Sequence, residues 1–271
     1  MQGTVWQGVS STGMLDFFKS RRRAALRAQP FPEPWRAIIA RSVPHLSTLT
    51  PEDRAELESL VQVFLAEKKF EGCGGLAITD EIRLTIAAQA CLLLLHRDTN
   101  YFPDLEVILV YPHAYVAETS RRLDGGFAVS DQQARQGQSA PGVVVLAWDA
   151  VRRSATDVHD GHNVTLHEFA HQLDQEGGAA DGAPLLGKRA MYTAWAHVFG
   201  DEFARLVDDV DKHRKSDIDA YGATNPAEFF AVVTEIFFER PKKLKCRHPE
   251  LYEQLALFYH QDPAAQRDTV T

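Results

Sequence analysis

The sequence predicts an α+β protein, and three observations carry that prediction. Two short runs rich in β-branched residues, 105–112 (LEVILVYP) and 142–148 (GVVVLAW), lie in the middle of the chain. Apolar residues at helical spacing dominate before and after them. With 271 residues, 45% of them hydrophobic and 24% charged, the chain can bury a substantial core, and no repeat or linker divides it. The expected organisation is a basic arm over residues 1–30, then one domain over 31–271 ending in a short tail.

Each element has a local reason. Residues 1–30 run from Gly and Ser into Lys19, Arg21, Arg22, Arg23 and Arg27, and Pro30, Pro32 and Pro34 then stop any helix, so this stretch reads as solvated. Thr50 followed by Pro51, Glu52 and Asp53 is a strong helix start, and Leu57, Leu60, Val61 and Phe64 share one face behind it. Gly72, Gly74 and Gly75 break the pattern. Thr79 caps a second helix whose stretch 82–95 is apolar nearly all round, which marks it as central to the core. After the first mid-chain strand, residues 124–142 read as turns with a short strand around 127–129. Helices are expected over 163–175, 184–208, 226–239 and 249–260.

Composition excludes several classes. Lys+Arg 29 against Asp+Glu 37 leaves a net charge of −8, which repels phosphate backbones and disfavours direct nucleic-acid binding. The longest apolar run falls short of the ~20 residues of a membrane span, and no secretory leader is recognisable, so a cytoplasmic protein is expected. Cys73, Cys91 and Cys246 are odd in number and form no CxxC pair, which argues against both a disulfide framework and a thiolate zinc knuckle.

The informative segment is NVTLHEFAHQLDQEGG, where His167, Glu168 and His171 spell H-E-x-x-H within a predicted helix. Positions four apart lie on one face, so both imidazoles can aim at a single Zn²⁺. Glu168 sits about a hundred degrees round the helix, where it reaches a metal-bound water as a general base. A third ligand must come from elsewhere. The metzincin pattern is contradicted by Asp174 and Gly177. Asp174 lies too near the same helix axis to complete a tetrahedron and reads as a residue that orients a ligand or ends the helix. His159 and His162 precede the helix in a loop. Glu228 and Glu235 lie seven residues apart on a second, strongly apolar helix capped by Asn225 and opened by Pro226, and either carboxylate could complete a His₂Glu site.

Taken in order, VILVYP, GQS followed by VVVLAW, LHEFAHQLD, DAYGATNPAEFFAVVTEIFFE and LYEQLALFYHQDP resemble the Mlc titration factor A family, from about Trp35 to Pro263. That family consists of zinc metallopeptidases of the bacterial cytoplasm, gluzincin-like and distantly similar to the catalytic domain of anthrax lethal factor. The resemblance implies a zincin-like fold with a small mixed sheet, an H-E-x-x-H active-site helix and additional N- and C-terminal helices. It implies one Zn²⁺ per chain held by His167, His171 and Glu228, with Glu168 as base and Tyr221 pointing to the oxyanion. Glu235 then becomes a hydrogen-bond partner of a ligand histidine. The VVVLAW strand would form the sheet edge where an extended peptide adds. The expected activity is zinc-dependent peptide hydrolysis, aminopeptidase-like on short peptides. The alternative is a non-catalytic regulatory protein that sequesters a transcriptional repressor, as the family name implies.

Overall fold

Four helices precede most of the sheet in the computed structural model, which describes residues 11–122, 128–140 and 142–266. These are α1 (Ser11–Arg27), α2 (Glu33–Ser42), α3 (Pro51–Glu67) and α4 (Asp80–Leu92), with β1 (Lys69–Gly72) between the last two. Then come β2 (Val107–Tyr111), β3 (Tyr115–Arg122), β4 (Ala128–Arg135), β5 (Gly137–Ala140) and β6 (Val143–Ala147). The remainder is helical: α5 (Trp148–Thr156), α6 (Val164–Gln175), α7 (Arg189–Asp211), α8 (Pro226–Glu239), α9 (Pro241–Arg247), α10 (Pro249–Tyr259) and α11 (Pro263–Gln266). This is an α+β fold with a small mixed sheet and many flanking helices. No described helix is long and apolar enough to cross a membrane.

The caps work as their residue types dictate. The Thr50 side chain accepts from the Asp53 N–H at 3.1 Å and that of Thr79 from the Ile82 N–H at 3.3 Å, satisfying donors that a helix start otherwise leaves open. Between Thr50 and the sheet, α3 buries Leu57, Leu60, Val61 and Phe64. Helix α4 is buried at every position from Leu84 to Leu92, polar Thr85 and Gln89 included.

The main sheet has the order β1-β2-β6-β5. β2 pairs in parallel with β1 and β6, with Val107 opposite Lys69 and Val143, and β5 runs antiparallel to β6. Ile108, Val110, Val144 and Leu146 are fully buried, which explains the β-branched runs in the middle strands. The VVVLAW segment is therefore not the sheet edge. β5 pairs with its free side, and the edge passes to Gly137–Ala140. β3 and β4 form a separate antiparallel hairpin. Of the strand expected around 127–129, Ala128 and Val129 open β4, and Phe127 lies outside the described residues.

Elsewhere too the structure differs from the sequence reading. Within the stretch taken for a solvated arm, α1 is anchored by Arg23, whose guanidinium donates twice to Glu67 at 2.8 Å and lies over the Tyr101 ring at 4.6 Å. Residues 1–10 and 267–271, the arm's start and the C-terminal tail, lie outside the described residues. The helix expected from 184 begins only at Arg189, after Gly187 at φ +73. Helices α5 and α9 were not read from the sequence at all.

Two aromatic clusters set the positions of α6 and α8. Phe169 on α6 meets Phe64 at 5.8 Å and Phe102 at 5.0 Å between ring centroids. Phe230 on α8 meets Trp195 and Phe258, both at 5.8 Å.

Lys68 shows the cost of this burial. Its Nζ donates to the carbonyls of Phe102 and Leu105 at 2.6 and 2.8 Å. Desolvation lowers its pKa from 10.5 to about 8. The unfolded chain therefore binds this proton more tightly, the penalty is fully present below pH 8, and it is relieved as pH rises toward 10.5. Urea titrations from pH 7 to 9.5 should show wild-type stability rising relative to Lys68→Met by about 2 kcal/mol. A pH-independent difference would mean that the ammonium is not desolvated.

Candidate metal centre

Asn163 starts α6 by accepting from the Leu166 N–H at 3.0 Å, which sets the helical phase of His167, Glu168 and His171. Asn225 starts α8 in the same way, accepting from the Glu228 N–H at 3.0 Å after Pro226 has fixed the first helical φ. The two helices face each other, and the result is convergence at one point. Glu228 Oε2 lies 3.0 Å from His167 Nε2 and 3.3 Å from His171 Nε2, and the two Nε2 atoms are 3.3 Å apart. Among the described residues, His167, His171 and Glu228 are the one group of three or more such side chains whose ligand atoms lie within 4.8 Å of one another.

The two glutamates take different places around the histidines. Glu235 turns to the other ring nitrogen, its Oε1 lying 2.7 Å from His167 Nδ1. A proton on Nδ1 shared with this carboxylate leaves the Nε2 lone pair directed at the cluster. Glu235 Oε2 in turn accepts the backbone N–H of Asn163. Asn163 Nδ2 donates at 3.0 Å both to Gln89 Oε1 and to Glu239 Oε1. Asn163, Gln89 and Glu239 were missed in the sequence. Their only signal there was a polar residue at a helix start and single polar residues on apolar helices.

Electrostatics follow from this packing. Burial opposes ionisation of Glu228, but hydrogen bonds from His167 and His171 outweigh it and hold the carboxyl far below its ordinary range. Burial likewise disfavours a charged His167, yet the Glu235 charge and the hydrogen bonds to Glu228 and Glu235 raise its pKa well above the ordinary value. A point that attracts a proton this strongly also suits a divalent cation. Two imidazole nitrogens and one carboxylate oxygen are a donor set that zinc accepts.

The other candidates occupy distinct places. Glu168 is buried, and burial raises its pKa to about 7 against the opposing charges of His167 and His171. It lines a cavity of about 550 Å³ together with Gly137, His162, His167, Tyr221 and Glu235. Tyr221 lies on a 3-10 turn (Ala220–Ala223), half exposed, its ring 5.9 Å from that of His167. His162 reaches Asp219 at 3.8 Å, and His159 is exposed, so neither joins the cluster. Asp174 is fully buried and turned away, its Oδ2 accepting the Gly182 N–H at 2.9 Å.

Fold and site together define a protein with a two-histidine, one-glutamate cluster held between facing helices. The chain belongs to the family described as glucose-regulated metallo-peptidase M90, whose sequence model matches residues 17–260. It is similar to an uncharacterized protein of Synechocystis sp., at 42% identity over 244 residues covering 89% of each chain. It is also similar to the Mlc titration factor A proteins of Klebsiella pneumoniae, at 33% identity over 85% of this chain and 86% of the relative, and of Cronobacter sakazakii, at 32% over 91% of each.

These relatives correct the functional expectation. The sequence reading gave a zinc peptidase, aminopeptidase-like on short peptides, with Glu168 and Tyr221 catalytic. The individually named relatives are called Mlc titration factor A, a name that does not state hydrolysis. The metallo-peptidase description attaches to the family as a whole, and the ligand cluster is a binding geometry that does not by itself carry a reaction. The peptidase assignment therefore yields to the regulatory alternative.

The approach of β5 to α6 can be tested directly. A Cβ on Gly137 would lie 2.7 Å from both Glu168 Cγ and Val164 Cγ2, and nearer still to Glu168 Oε1. Gly137→Ala should lower stability by about 1–3 kcal/mol through overpacking, measured by urea denaturation. An unchanged midpoint would show that strand and helix are not in close contact.

Proposed function

We propose that this protein is a regulatory binding protein that sequesters a transcriptional repressor. The observation that carries the reading is its similarity, over about 86% of both chains, to relatives named Mlc titration factor A. The net charge of −8 agrees with a protein partner in place of nucleic acid. A repressor places this action in the cytoplasm.

The metal belongs to the same proposal. His167, His171 and Glu228 hold one Zn²⁺ per chain in a zincin-like domain onto which α1 also packs, with Glu235 orienting His167. Bound there, the ion would cross-link α6 to α8 and supply a Lewis-acidic charge beside the cavity. Tyr221, half exposed beside that cavity, would contact whatever part of the partner enters it, while Glu168 is buried behind it. Zinc rests on the ligand chemistry, since the same set binds other divalent ions in vitro.

Elemental analysis of the purified chain should give about one zinc, lost in Glu228→Ala together with the stabilisation that zinc confers on thermal unfolding. Full zinc content in that variant would move the third ligand elsewhere. To test sequestration, the chain is titrated into an Mlc-type repressor bound to fluorescent operator DNA, and anisotropy reports release. Release should be stoichiometric, with intact repressor on a gel, and Glu168→Gln should match wild type within about twofold, a difference under ~0.5 kcal/mol. Release that depends on Glu168 and leaves cleaved repressor would overturn the binding reading.

A further inference from the structure

We infer that Asp174 is a positioning residue for Glu228, acting through the loop between α6 and α7, which it clamps onto the first turn of α8. The inference rests on the reading of His167, His171 and Glu228 as metal ligands, and it concerns how the third ligand is held relative to the first two.

Asp174 follows His171 by three residues on α6 and its side chain is fully buried. A buried carboxylate is costly unless it has donors, and burial pushes the Asp174 pKa up to about 6. The donor is the N–H of Gly182, at 2.9 Å from Oδ2. Gly182 is fixed from its other side as well, because its carbonyl accepts from Trp195 Nε1 at 2.9 Å.

What this loop presses on is the start of α8. Gly182 has φ +78, and a Cβ there would lie 2.7 Å from the Pro226 carbonyl carbon and closer still to its oxygen, so the two backbones are in contact. Pro226 is the first residue of α8, and Glu228 is two residues further on, its own N–H held by Asn225. The first turn of α8 thus sits between its cap and a loop tied to α6 just beyond His171. A continuous line of contacts runs from the helix of two ligands, through Asp174, Gly182 and Pro226, to the third. Metal–ligand distances tolerate only about ±0.2 Å, so freeing this turn should be felt in affinity before it is felt in the fold.

The test is zinc affinity of the full chain by competition with a chromogenic chelator, for wild type, Asp174→Ala, Asp174→Asn and Gly182→Ala, with metal-free thermal unfolding alongside. Asp174→Ala and Gly182→Ala should each bind zinc about 10–100-fold more weakly, while Asp174→Asn, which keeps an acceptor for Gly182, stays within about threefold of wild type. Unchanged zinc affinity in Asp174→Ala and Gly182→Ala, with only the metal-free melting temperature lowered, would overturn the inference and leave Asp174 a structural residue. Wild type that binds no zinc would overturn the metal reading itself and this inference with it. Should Asp174→Ala fail to fold, Gly182→Ala decides, since it removes no hydrogen-bonding side chain and acts by pressing on Pro226.

Discussion

Helix α8 carries Glu228, Glu235 and Glu239 along a stretch whose one other polar residue is Thr234, and the rest of the structure depends on how those carboxylates are satisfied. Left unpaired, each would cost several kcal/mol. The solution is α6, which offers His167, His171 and the N-cap Asn163 to the same face. Helix α4 backs the arrangement with Gln89, which holds Asn163 in turn. Burial still leaves its mark, since the Glu239 carboxyl is pushed up to about 8.

That polar seam is possible only because apolar packing fixes the two helices independently of it. Phe169 anchors α6 among Phe64 and Phe102, and Phe229 and Phe230 anchor α8 against Phe199 and Trp195. Hydrophobic burial is non-directional and supplies position, while the hydrogen bonds of the seam supply orientation. The convergence of three ligand atoms follows from both, and it makes the seam a place where a cation can replace a shared proton.

A cluster of this kind does not by itself decide what a protein is for. The same two imidazoles and carboxylate can serve chemistry, cross-link helices or present an open coordination position to a partner. The named relatives turn the reading toward a partner. The half-exposed Tyr221 and the cavity beside His167 give this cluster an accessible surface.

The sequence by itself determined the elements whose causes are local. The Thr50, Thr79 and Asn225 caps, the β-branched strands and the i, i+4 spacing of His167 and His171 are each decided within a few residues. It also marked Glu228 and Glu235 as the carboxylates of α8 that could join the two histidines. The spacing did not separate their surroundings, because seven residues along a helix return to nearly the same face, and only the folded structure shows Glu228 beside the two Nε2 atoms and Glu235 beside Nδ1. The same holds for α1, ordered by a guanidinium that finds Glu67 forty-four residues away, and for β5, whose place at the sheet edge is set by pairing with β6. Contacts between segments distant in sequence leave no periodic trace in either segment, so they become legible only once the chain has folded.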